Sequence, residues 1–151
     1  MKSLLREYVR LLMNEGSYNY DTSEAKRAIQ DVRDKGYDEI ADILSRAWML
    51  HDKLGEQAKD VEAHKKGGES KYTADDMYSS ADKLVNVLVR TLKPRLQQQD
   101  LLTDYVDEEI GNAKGALDVA ESPRDISLLV QRPAHNAIEG VVEKILDKQL
   151  N

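Results

Sequence analysis

Apolar side chains recur at the spacing of α-helices along almost the whole chain. After a first amphipathic segment at residues 1–15, apolar stripes predict helices at about 23–35 and from about 38 to the mid-60s. Further stripes lead to helices from about 73 to 92, 96 to 120 and 122 to 132, and a last helix runs to the mid-140s. Runs of β-branched and aromatic residues are few, so no strand is predicted.

Capping residues mark where several of these helices begin and end. Gly36 is a predicted C-terminal stop, because glycine readily takes the left-handed conformation that ends helices. Thr73, with Asp76 three residues later, is an acidic variant of the capping box and predicts a helix start. Ser122, followed by proline, predicts another start.

Two prolines and two glycines are predicted to disturb the helical pattern. Pro94 is predicted to interrupt one helix, because the residue before a proline avoids the helical conformation. Pro133 is predicted to end the short helix that starts at Ser122. Gly111 and Gly115 are predicted either to weaken their helix or to permit a close helix contact.

The fold class predicted from this pattern is all-α. It is an antiparallel bundle of six or seven helices with an N-terminal helical arm. The chain has 151 residues, enough for one domain, and its core must be aliphatic because only 5% of its residues are aromatic. Eight core residues are predicted: Leu44, Trp48, Leu84, Leu88, Val106, Ile110, Val142 and Ile145.

The first fifteen residues form the most distinctive segment. On a helix, seven apolar residues share one side: Met1, Leu4, Leu5, Tyr8, Val9, Leu11 and Leu12. A helix with such a face must bury it against another surface. Gly16 and a polar stretch then separate this helix from the rest, which predicts a docking helix at 1–15 and a single domain at 16–151. The predicted partner-binding residues are the apolar Leu4, Leu5, Tyr8, Val9 and Leu12 and the basic Lys2, Arg6 and Arg10.

Charge and composition exclude several functions. Residues 1–72 carry 13 basic and 14 acidic side chains, whereas residues 73–151 carry 9 and 14, so the C-terminal half is acidic and should repel nucleic acid. No stretch approaches the ~20 apolar residues that span a bilayer, and no membrane partner is predicted. With no cysteine, the chain forms no disulfide, thiolate metal site or cysteine nucleophile.

Histidines and carboxylates are the side chains of this sequence that could carry chemistry. None of the three histidines, His51, His64 and His135, has a second histidine at helical ligand spacing, so no metal or other cofactor is predicted. His51 is expected beside Trp48.

Acidic pairs such as Asp104 and Glu108, one helical turn apart, favour an alternative, enzymatic function, because such pairs can bind magnesium and position a nucleotide. Helical nucleotide pyrophosphatases use pairs of this type. A solvated acidic face is the preferred interpretation, and no catalytic residue is predicted.

The opening MKSLLREYVRLLMNEG resembles the leaders of small head proteins of large tailed bacteriophages. In that group, short amphipathic N-terminal helices direct proteins into the assembling head, and a protease cuts after glutamate in a Leu/Ile-x-Glu pattern. Here Met13-Asn14-Glu15-Gly16 has that shape with methionine in the first position, so the resemblance implies Glu15 as a protease site. It covers about one tenth of the chain and implies a virion component rather than an enzyme.

The sequence thus predicts a non-enzymatic structural or assembly protein, located in a virion or in the host cytoplasm. Its predicted partner is a larger protein assembly, such as a capsid or another virion protein, and self-association remains open. Two alternatives are kept. One is the magnesium-dependent nucleotide hydrolase, and the other is a small acidic inhibitor that binds a host protein.

Overall fold

Five helices make up the part of the chain that the structure describes. The structure is a computed structural model, and it describes residues 22–63, 72–120, 122 and 125–148. No strand occurs in these ranges, so the all-α prediction is confirmed there. The predicted helical arm lies outside the described residues, and the count of six or seven helices is not confirmed.

The first two helices form a hairpin. Helix α1 spans Thr22–Asp34, and α2 spans Asp38–Ala63. Gly36 joins them with a φ of 96°, and its amide donates to the carbonyl of Arg33 over 2.9 Å. The predicted glycine stop is therefore confirmed, because this left-handed conformation strains any residue with a Cβ.

Helix α3 contains Pro94 and yet continues through it. It comprises Ala74–Asn86, a π-helical turn at Val87–Leu92, and Lys93–Gln98. The amide of Lys93 donates to the carbonyl of Leu88, five residues back. This wider turn lies where the proline ring would otherwise meet the carbonyl four residues before it. The predicted interruption at Pro94 is therefore wrong.

The break comes instead at Asp100, six residues later. Asp100 has a φ of 55°, and the amide of Leu101 donates to the carbonyl of Leu96 over 2.8 Å, as in a Schellman helix end. Helix α4 then begins at Asp104 and runs to Val119, and the Thr103 hydroxyl accepts from the Val106 amide. The continuous helix predicted from 96 to 120 is thus divided by this turn.

Helix α5 repeats the arrangement around its own proline. A π-helical turn at Ile126–Gln131 leads without a break into Arg132–Lys148, so Pro133 does not end a helix as predicted. The Ser122 hydroxyl accepts from the amide of Asp125, as its predicted capping role requires. Thr73 and Asp76 form the predicted capping box at the start of α3.

All five helices contribute to one aliphatic core. Seven of the eight predicted core residues are buried, and Val142 is partly buried against the others. Neighbouring helices in the chain pack side by side, and α5 contacts all four of the others. Burial of these side chains stabilises each helix more than its own propensity does.

The glycines in α4 and α5 differ in their surroundings. A Cβ placed on Gly111 or Gly115 in α4 would meet nothing within 4 Å, so these residues weaken the helix and allow no close contact. A Cβ on Gly140 in α5 would lie 2.8 Å from Cγ2 of Val106. The close helix contact is therefore made by Gly140.

Candidate functional site

The predicted docking helix lies outside the described residues. This covers all eight predicted partner-binding positions, the protease site at Glu15, and His64. The structure therefore gives positions only for those candidate site residues that lie in the described ranges between residues 22 and 148. The predicted partner-binding residues are Lys2, Leu4, Leu5, Arg6, Tyr8, Val9, Arg10 and Leu12.

Three aromatic rings from α2 and α5 meet in the core of the bundle. The ring centroids of Trp48 and His51 are 4.5 Å apart in a stacked arrangement. His135 lies 5.3 Å from His51 and 5.5 Å from Trp48, with its ring tilted against both. All three are buried, and His51 has no exposed surface. The prediction that His51 neighbours Trp48 is confirmed, and its burial is more complete than expected.

A glutamine links the two helices next to these rings. The Gln131 side-chain amide donates from Nε2 to the backbone carbonyl of His51 over 3.1 Å, and both residues are buried. Gln131 is the last residue of the π-helical turn in α5, and His135 follows one helical turn later. We call Trp48, His51, Gln131 and His135 the histidine cluster.

Local spacing explains how each helix presents its part of the cluster. Trp48 and His51 are three residues apart on α2, and Gln131 and His135 are four apart on α5. Both spacings place side chains on one face of a helix. Glu139 follows after another four residues, with Oε2 at 3.5 Å from Nε2 of His135, which is too long for a strong hydrogen bond.

Burial determines the charge state of His51. Removal from water and, secondarily, the nearby His135 hold the pKa of His51 well below its ordinary value of 6.5. At neutral pH the His51 ring is therefore uncharged, which suits a ring stacked on indole in an apolar core. The folded chain therefore resists protonation of this ring.

The structure brings no metal-binding set together in the ranges it describes. Among these residues, no group of three or more histidine, aspartate or glutamate side chains is arranged to hold a metal ion. His51 and His135 are close to each other, but a zinc site needs at least three converging ligands.

The acidic residues of the hydrolase alternative lie on the surface. Asp104 and Glu108 are both exposed on α4. Asp107, between them, pairs with Lys93 at 2.8 Å. Asp100, expected on the same helix, lies in the turn before it.

A second pair of carboxylates, Glu39 and Asp42 on α2, is also occupied by basic residues. Arg95 binds Glu39 at 2.6 Å, and Arg33 binds Asp42 at 2.8 Å. These exposed ion pairs join helices at the surface and each contribute at most about 1 kcal/mol. Glu39 and Asp42 are therefore surface partners of arginines, and Asp104 and Glu108 are exposed.

Sequence reasoning missed the meeting of His51 with His135. The two residues are 84 positions apart, and no local spacing connects them. One sequence signal was nevertheless present, since Pro94 and Pro133 each follow a basic residue. The structure shows that the side chains two positions before and two positions after each of these two prolines are buried.

No membrane-crossing candidate appears among the described helices, since none combines the necessary length and apolar character. Comparison of the chain with protein-family models, with curated proteins and with solved structures finds no match.

Proposed function

We propose that this protein is a non-enzymatic assembly protein, a component of a bacteriophage virion, that docks on a larger protein through residues 1–15. The observation that carries the proposal is the apolar face of this segment, placed before a chain that supplies its own core. A helix of this length is marginal in water on its own, so it needs a surface to pack against. The basic Lys2, Arg6 and Arg10 suit a partner surface that carries acidic groups.

The packing of the described helices supports this division of the chain. The buried aliphatic core extends from Ile29 in α1 to Ile145 in α5, and every described helix contributes to it. These helices therefore have a shared core to stabilise them. The apolar side chains of residues 1–15 would then be available for a partner.

The surface chemistry supports a role in binding rather than in catalysis. The carboxylates of α2 and α4 described above are exposed or paired with arginine or lysine, and the described residues hold no three-ligand set. A hydrolase that uses magnesium needs carboxylates that converge on the ion. This arrangement favours the assembly role over the hydrolase alternative.

Co-sedimentation with large particles tests the docking role. The tagged chain is expressed together with its genomic neighbours, and lysates are separated on a density gradient. We expect the full chain in the particle fractions. A variant lacking residues 1–15 should remain in the light fractions with a nearly unchanged melting temperature, because the described helices share a buried core of their own.

Point variants separate loss of docking from loss of folding. Leu5→Asp and Tyr8→Asp place a charge on the apolar face and should abolish co-sedimentation. Ser3→Asp adds the same charge to the polar face and should not. If the deletion unfolds the domain, or if Leu5→Asp sediments like the unaltered chain, residues 1–15 are ordinary core and the proposal is wrong.

A further inference from the structure

Two contacts of the histidine cluster join α2 to α5 at defined points. Gln131 donates from Nε2 to the carbonyl of His51 over 3.1 Å. The ring of His135 lies 5.5 Å from that of Trp48 and 5.3 Å from that of His51. Gln131 and His135 are four residues apart on α5, and Trp48 and His51 are three apart on α2. Both contacts are therefore made within one turn of each helix.

The aliphatic side chains of the same two helices recur at every turn. Buried apolar residues include Ile40, Leu44, Ala47, Leu54 and Ala58 on α2, and Ala134, Ala137, Ile138, Val141 and Ile145 on α5. If α5 moved along α2 by one helical turn, about 5.4 Å, apolar side chains would still meet apolar side chains. Aliphatic cores tolerate such repacking and lose their unique arrangement before they lose stability. The aliphatic contacts alone therefore leave the register of the two helices weakly specified.

The side chains of the histidine cluster, by contrast, do not recur. Trp48 is the only tryptophan in the chain, and His51 is the only histidine in α2. Gln131 and His135 are likewise the only glutamine and the only histidine in α5. A move of one turn would take His135 away from both rings and Gln131 away from the His51 carbonyl. Both contacts are therefore made together in the observed register.

The burial of Gln131 makes a wrong register costly. This side chain is 1% exposed, so water cannot replace a protein acceptor that is lost. A buried amide without an acceptor carries its full desolvation cost, whereas a satisfied one makes the arrangement more specific. Buried polar groups fix the register of packed helices in this way elsewhere, at some cost in stability.

The matching turn of α3 shows which residues can take the place of the polar pair. Leu92 and Leu96 lie two positions before and two positions after Pro94, beside a π-helical turn like that of α5, and both are buried. The same backbone geometry therefore accommodates leucine at the positions that Gln131 and His135 occupy around Pro133.

We propose that Gln131 and His135 act with Trp48 and His51 as a register lock, which fixes the position of α5 along α2 and excludes arrangements displaced by a turn. The lock lies wholly within the described helices, so it goes beyond the docking role of residues 1–15 and does not depend on it.

A distance measurement between α2 and α5 tests the register lock in the full chain. The chain has no cysteine, so Lys53→Cys on α2 and Arg132→Cys on α5, both at exposed positions, provide two sites for spin labels. Pulsed electron paramagnetic resonance then gives the distribution of label distances, and we expect one narrow component. Gln131→Leu combined with His135→Leu should keep the helical circular dichroism but broaden or split the distribution. The added component should be displaced by up to about 5 Å, the rise of one turn.

Two further variants in the same labelled background sharpen the test. Gln131→Met removes the donor at similar length and should broaden the distribution in the same direction. Ser80→Ala removes a buried hydroxyl of α3 outside the cluster and should leave one narrow component. An unchanged narrow distribution in the double leucine variant or in Gln131→Met would overturn the proposal. Loss of helical circular dichroism in the double leucine variant would overturn it as well, because the polar pair would then be required for the fold and not for its register.

Discussion

The replacement of Gly140 by alanine is a sensitive test of how α4 and α5 pack. Gly140 is buried in α5, and a Cβ added to it would lie 2.8 Å from Cγ2 of Val106 and 3.1 Å from Cδ1 of Tyr105. Val106 is completely buried, and its branched side chain has little rotamer freedom in a helix. The new methyl group can therefore be accommodated only if the two helices shift.

Two opposing contributions set the size of the effect. Alanine is favoured over glycine inside a helix by about 0.8–1 kcal/mol. Overpacking a filled core costs about 1–3 kcal/mol. The second contribution exceeds the first, so Gly140→Ala should lower the free energy of unfolding by up to about 2 kcal/mol. For a chain of this size, each kcal/mol lowers the melting temperature by about 2–4 °C.

Gly115 in α4 provides the matched control. Its added Cβ would meet nothing within 4 Å, so Gly115→Ala brings the same gain in helix propensity without a steric cost. We expect it to stabilise the chain by about 0.5–1 kcal/mol. Thermal and urea unfolding followed by circular dichroism measure both variants, and the difference between them isolates the packing term. Equal stabilisation by the two substitutions would refute the close contact of α4 and α5.

A double-mutant cycle identifies the clash directly. Val106→Ala removes the methyl group that the new Cβ would meet, so the combination with Gly140→Ala should cost less than the two single changes added together. We expect a favourable coupling of at least about 0.5 kcal/mol, as is usual for residues in contact. Strict additivity would show that the cost of Gly140→Ala arises elsewhere.

Two further substitutions test the core and the turn between α3 and α4. Leu88→Ala removes a fully buried side chain within the first π-helical turn and should destabilise the chain by about 2–5 kcal/mol in urea unfolding, whereas a loss below about 1 kcal/mol would mean that this site is loosely packed. Asp100→Gly relieves a φ of 55° and should raise the melting temperature, with a gain of up to about 1 kcal/mol, and a lower melting temperature would contradict the left-handed conformation.

Features that depend on a few neighbouring residues could be predicted from the sequence. Thr73 and Asp76 cap α3 reciprocally, and Gly36 ends α1 with a positive φ, because each motif is complete within a few residues. The apolar stripes likewise identified buried residues such as Leu44 and Leu84, since periodicity alone determines which face of a helix turns inwards.

The positions of the helix breaks could not be predicted, because burial on both sides of Pro94 outweighs its local effect. Leu92 and Leu96 are buried on either side of this proline, and a π-helical turn relieves the ring while keeping both in the core. The turn falls instead at Asp100, where aspartate adopts a conformation more usual for glycine. Local rules rank proline as the stronger breaker, but they do not include the packing that holds the helix together.

The residues on either side of Pro133 belong to the histidine cluster, and the equivalent residues around Pro94 are leucines. In both helices the residues two before and two after the proline are buried in the core. Leu92 and Leu96 are what an aliphatic core requires at these positions, and Gln131 and His135 depart from that requirement. These two positions therefore differ from the rest of the core in composition while sharing the local geometry of the first proline. The partner ring, His51, cannot be identified from this local spacing, because only the packing of α2 against α5 brings it within 5.3 Å of His135.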